Sequence, residues 1–124
     1  MIDLQALAPA DGALARRMPT GWLLSSDRPC WWFIATIPLR LQLDAGAVVE
    51  VQAEVRAGQV GFSFVGEDES RPWSEHVAAS GLTIANLQVS EGDPLPRRIL
   101  LRSCARDDRP AVVEVRSVRL FASG

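Results

Sequence analysis

The chain has 124 residues, 48% of them apolar and 23% charged, with a formal net charge of −2. That length is enough for one domain with a sizeable core, and the slightly acidic balance argues against a phosphate-backbone binder, so no nucleic-acid partner is expected. All 13 basic residues are arginine, no run approaches the roughly 18 apolar residues of a membrane span, and the opening "MIDLQALAPADGALARRM" lacks the basic start and apolar stretch of a secretory leader; the expectation is a cytoplasmic chain without a membrane partner.

In chain order, residues 1–19 are Ala-rich and broken by Pro9 and Gly12. They predict either an irregular arm or a short helix around Gly12 to Arg17, and an isolated helix that short is marginal. "TGWLLSSD" predicts a first strand ending in an Asp turn, and the apolar run "CWWFIATIPLRLQL" follows, with Pro38 marking an edge or a bend. Next comes "VVEVQAEVRAGQVGFSFVGEDES", Val48 to Ser70. Val49, Val51, Ala53 and Val55 share one parity, while Glu50, Gln52, Glu54 and Arg56 share the other, the period-two signature of a half-buried strand. Val60, Phe62 and Phe64 resume the alternation beyond Ala57-Gly58-Gln59, which reads as an antiparallel hairpin. A segment near "EHVAA" and strands at "LTIANLQV", "RRILLRSC" and "AVVEVRSVRLF" complete the series. The apolar parity slips near Asn86 and again near Ser117, which predicts a bulge in each strand. The whole predicts an all-β domain over residues 20–124, an antiparallel β-sandwich of about eight strands closed as a jelly roll of the galactose-binding-like kind. An immunoglobulin-like sandwich is the alternative.

Catalytic chemistry is hard to assemble from these residues. His76 is the only histidine; Ser74 and Glu75 are its neighbours, but adjacent side chains on an extended strand point to opposite faces, so the three are not expected to form a nucleophile–base–acid set. Glu50, Glu54 and Glu75 could supply a carboxylate pair, but a solvated strand face accounts for the first two. Cys30 and Cys104 lack metal-type spacing and read as two thiols or, in an oxidising compartment, a disulfide. Clustered oxygens in loops suit calcium, which makes Asp68, and the pair Asp107 and Asp108, weak calcium candidates; otherwise no cofactor is expected.

Two features point to binding. Trp73 follows "ESRP" in a polar, proline-bearing loop. Its ring either folds back to cap the sandwich or presents a stacking platform for a sugar, with Arg71, Glu75 and His76 taking hydroxyl hydrogen bonds. Arg102 sits among apolar residues in "RILLRSC" and needs a carboxylate; Glu75 and Glu114 are its candidate partners. Adjacent Trp31 and Trp32 cannot both enter one core, which suits a contact with another copy or a neighbouring enzyme domain.

"VEVQAEVRAGQVGFSFVGEDES…SEHVAA", "RRILLRSC" and the closing "AVVEVRSVRLF" resemble the carbohydrate-binding-module-like β-sandwich that accompanies bacterial FkbM-type methyltransferases and glycosyltransferases. The likeness spans roughly Trp31 to Phe121 and rests on Gly58, Gly61, Asp68, Glu75 and Arg102-Ser103, the last departing from the Arg-Asn common in such domains. It implies a jelly roll and a non-catalytic role beside a glycan or an enzyme acting on one. The expectation is a glycan-binding module with Trp73, Arg71, Glu75, His76 and Arg102 at its site; a structural domain mediating subunit contacts is the alternative.

Overall fold

The computed structural model describes residues 7–10, 13–26, 33–40, 43–67, 72–103 and 110–121. These residues form ten strands and no helix: β1 Ala8–Pro9, β2 Leu14–Met18, β3 Gly21–Ser26, β4 Phe33–Pro38, β5 Val48–Ala57, β6 Val60–Val65, β7 Trp73–Ala78, β8 Gly81–Gln88, β9 Arg98–Ser103 and β10 Ala111–Phe121. Sheet A has the order β1-β4-β9-β6-β7 and sheet B the order β2-β3-β10-β5-β8, with every pairing antiparallel. The two five-stranded sheets form a β-sandwich. Among the described residues no helix is long and apolar enough to cross a membrane.

The stretch expected as an arm or a short helix supplies a strand to each sheet. β1 pairs with β4 at the edge of sheet A, and β2 pairs with β3 from Leu14↔Ser25 to Met18↔Gly21 at the edge of sheet B. Arg16 and Arg17 thereby sit on an extended edge strand.

The run from Val48 to Val65 corrects the hairpin expectation. β5 pairs with β10 and β8 in sheet B, whereas β6 pairs with β9 and β7 in sheet A. Both runs alternate because both face one interior, from opposite sides. Val49, Val51, Ala53 and Val55 approach from sheet B and Val60, Phe62 and Phe64 from sheet A, all fully buried. Period two reports which face is covered, not which strand is the partner. The chain crosses between sheets in two residues, Gly58-Gln59. Gly58 adopts φ +71°, and a Cβ there would lie 3.1 Å from Ala111 Cα. Ile34, Ile37, Ile99 and Leu101 of sheet A meet Leu24, Val113, Val115 and Val118 of sheet B in the same core. Each such side chain contributes about 1.5–3 kcal/mol on leaving water.

Of the two expected bulges one is present. β10 has a register shift between Val115↔Ala53 and Ser117↔Gln52, so Arg116 is an extra residue, and a second shift leaves Arg56 extra on β5. β8, by contrast, pairs with β5 from Val48↔Gln88 to Val55↔Gly81 without any shift. Its parity slip has another cause. Ala85 and Leu87 are buried, while Leu82 and Ile84 point outward and are 74% and 53% exposed.

The β2–β3 hairpin turns through Pro19-Thr20 and presses Gly21 (φ +148°) against β10, where a Cβ would sit 1.9 Å from the Val115 carbonyl oxygen. Backbone that close cannot step aside. Gly21→Ala is expected to lower the unfolding free energy by roughly 2–4 kcal/mol. Gly92→Ala, at φ +88° with open space around it, is expected to cost only about 1 kcal/mol. Urea unfolding of the two variants beside the parent chain measures the difference.

Candidate functional site

The structure separates the residues expected to form the sugar platform. Trp73 opens β7 opposite Phe64, with ring centroids 6.2 Å apart and planes tilted by 51°. Its indole packs against the core and covers Gly66, and its Nε1 has no hydrogen-bond partner among the described residues. Of the two readings of Trp73, the ring that folds back to cap the sandwich is the one seen. Ser74 takes a positive φ of 57°, and the register of β7 shifts between Phe62 and Phe64. That irregularity keeps Trp73 and the half-buried His76, opposite Phe62, on the core side, while Glu75 and Val77 turn outward.

Glu75 and Arg102 form the clasp that the sequence anticipated, with Arg102 Nε 2.6 Å from Glu75 Oε2. The two residues sit on β7 and β9, with β6 between them. The intervening outward positions are Gly61 and Ser63, too small to obstruct the arginine as it lies across the strand. Their side chains are 16% and 22% exposed, so the pair is partly covered. Leu100 and Val65, also of outward parity on sheet A, are fully buried. Arg71, Asp68, Asp107, Asp108, Cys30, Trp31, Trp32 and Cys104 lie outside the described residues. Among the described residues no group of three or more His, Cys, Asp or Glu could hold a metal ion.

The outer face of sheet B is different. It carries Glu50, Gln52, Glu54 and Arg56 from β5 and Glu114, Arg116, Ser117, Arg119 and Phe121 from β10. β8 adds Leu82, Ile84, Asn86 and Gln88. Glu114 lies directly opposite Glu54, an arrangement of like charges that destabilises a sheet by itself. The two bulge residues resolve it. Arg56 reaches Glu114 Oε2 at 2.7 Å and Glu54 Oε1 at 3.2 Å; Arg116 reaches Glu54 Oε2 at 3.0 Å and Glu114 Oε2 at 3.6 Å. The Thr20 hydroxyl donates to the other Glu114 oxygen. Under this cover Glu114 is 2% exposed despite its outward parity. The Thr20 hydrogen bond, then Arg56 and Arg116, hold its carboxyl below the usual range, against the opposing effect of burial. The four charged groups and the Thr20 hydroxyl thus form a clamp that ties β5, β10 and the β2–β3 turn together on this face.

Beside the clamp the face is open. Gln52, Ala53, Leu82, Thr83, Ile84 and Arg116 line a shallow depression of about 190 Å³. Farther along, register aligns two complete rows. Arg119, Glu50 and Asn86 form one; Phe121, Val48 and Gln88 form the next. Phe121 is 49% exposed, and Gln52 Nε2 donates to Glu50 Oε1 at 3.2 Å. This surface was missed in the sequence. Its signal in the sequence is the outward parity of Leu82 and Ile84, which mimics a bulge. A scan against protein-family models found no match for the chain, and neither did a search of curated proteins.

Because the folded carboxyl of Glu114 titrates below its unfolded value, the unfolded chain binds more protons as pH falls through that window. The stability that Glu114 supplies is therefore full above the unfolded carboxylate pKa, near 4.3, and drains away as pH drops toward the folded value. Glu114→Gln is expected to cost about 1–2 kcal/mol at neutral pH. The gap between the variant and the parent should close at acid pH, as followed by denaturant unfolding over a pH series.

Proposed function

We propose that the chain is a non-catalytic carbohydrate-binding module of jelly-roll topology, accessory to an enzyme that modifies a glycan, and that its ligand surface is the outer face of sheet B. Strand order supports the topology. Without β1 and β2, β3-β10-β5-β8 faces β4-β9-β6-β7, and most consecutive strands change sheets, as in a double Greek key.

The observation that carries the ligand reading is the pair of adjacent rows, Arg119-Glu50-Asn86 and Phe121-Val48-Gln88. A sugar ring offers an apolar face and a rim of hydroxyls. Phe121 supplies an exposed aromatic surface, and Glu50, Arg119, Asn86 and Gln88 supply planar carboxylate, guanidinium and amide groups on the same flat face. Such groups give and accept hydrogen bonds in pairs. Trp73 and Glu75 have no part in this reading, since one is engaged with the core and the other with Arg102.

A second reading, an assembly domain, is favoured by Leu82 and Ile84, large aliphatic residues exposed on the border strand of the same sheet.

Titration calorimetry against a panel of neutral and acidic oligosaccharides tests the first reading. Binding is expected for at least one class. Phe121→Ala should weaken it by about tenfold, equivalent to about 1.4 kcal/mol, while Trp73→Phe should change stability and leave affinity alone. Absence of binding across the panel, or binding indifferent to Phe121→Ala, overturns it.

A further inference from the structure

Among the described residues four strands border the two sheets, and three of them are poorly suited to accept another strand. β1 has two residues, one a proline, which has no N–H to offer. β2 carries Arg16 and Arg17. β7 is interrupted by its register shift and by Ser74. Short edges, charges, prolines and bulges are the usual means of stopping edge-to-edge pairing. β8 has none of them. It is eight residues long, GLTIANLQ, uncharged, free of proline and regular over its whole length.

Its hydrogen-bonding groups that have no partner among the described residues can be assigned. Val89 N–H donates to the Ala47 carbonyl, and Gly46 N–H donates to the Val89 carbonyl, so residue 89 bonds toward β5. Alternation along an antiparallel strand then directs the N–H and C=O of Leu82, Ile84, Asn86 and Gln88 away from β5. The Ser74 hydroxyl donates to the Gln88 carbonyl at 3.4 Å and occupies that end. The stretch from Leu82 to Asn86 remains, and it carries both exposed aliphatic side chains.

We propose that β8 pairs antiparallel with β8 of a second copy of this chain, about a twofold axis at Thr83, joining the two B sheets into one of ten strands. This register sets Leu82 opposite Ile84 of the second copy, and Ile84 opposite its Leu82. Four aliphatic side chains cover one another on the outer face, and the backbone groups of both residues are satisfied. Reversal maps Leu82 onto Ile84, so the segment is its own complement. Charge allows the approach, because β8 is uncharged and the nearest carboxylate, Glu54 beside Leu82, is already neutralised by Arg56 and Arg116. One strand contact of this length stays below the roughly 1,200 Å² of a standard interface, so the dimer is weak and forms with rising concentration. The interface rests on the assembly reading and is independent of glycan binding.

Sedimentation velocity over a wide range of protein concentration tests it, combined with hydrogen exchange. The parent chain is expected to pass from monomer to dimer, with the Leu82, Ile84 and Asn86 amides gaining protection as it does. Ile84→Lys should remain monomeric, with circular dichroism and a melting curve showing that it is folded. Ile84→Pro removes only an N–H that faces away from β5 and should behave in the same way. Val77→Lys, on the outer face of sheet A, should still dimerise. A parent chain that is monomeric throughout, a dimer untouched by Ile84→Lys, or protection of β8 only on adding another protein overturns the proposal.

Discussion

Two carboxylates face each other across the centre of sheet B, and the arginines that reconcile them come from the two places where the ladder carries an extra residue. Glu54 and Glu114 are direct cross-strand neighbours, Arg56 is the unpaired residue of β5, and Arg116 is the unpaired residue of β10. A bulge re-aims the chain by one position. On β10 that shift returns Val118 to the core, where strict alternation from Val115 would have turned it to solvent. Arg116 keeps the outward parity of Glu114, so the clamp and the irregularity that sustains the core along β10 meet at one residue.

The two outer faces follow different designs. On sheet A, small residues on β6 let Arg102 cross a strand and close on Glu75, and Leu100 and Val65 beneath that surface are buried. On sheet B, Glu114 is covered by its arginines, but the rest of the face stays exposed, with aliphatic, amide and aromatic side chains in register. Exposed groups held in register are what a ligand can contact, and among the described residues such rows lie on β5, β8 and β10.

Much of the fold was legible because alternation is a local property. Val49 to Val55 and Val60 to Phe64 were assigned correctly as core, and the parity break at Ser117 identified a real bulge. Partner choice was not legible. Val48–Ala57 and Val60–Val65 look like a hairpin because each is amphipathic, yet both are satisfied by a shared interior reached from opposite sheets. The arm was misjudged because β2 gains its stability from pairing with β3, a tertiary contact that composition does not encode. Arg102 was legible as needing a carboxylate. For Trp73 both a capping ring and an exposed one were compatible with the sequence, since the residues before it are polar; the register shift beside Ser74, which the pattern does not encode, accompanies a ring packed against the core. Leu82 and Ile84 show the converse: apolar residues at outward positions were interpreted as a backbone defect when the backbone is regular and the exposure is real.

The proposed binding face and the border strand belong to one surface, which links the two proposals geometrically. In a ten-stranded sheet made through β8, both Phe121 rows look to the same side. β10 and its counterpart are five strand spacings apart, about 24 Å at roughly 4.8 Å each. The Phe121 row lies five residues from Thr83 along the strand, which adds about 34 Å between the two copies. On a flat sheet the sites are then on the order of 40 Å apart, a span that a polymer of several sugar units can bridge and a short oligosaccharide cannot. A weak dimer would then raise the effective concentration of the second site for long chains alone, so that a shallow face with modest intrinsic affinity discriminates by ligand length as well as by composition.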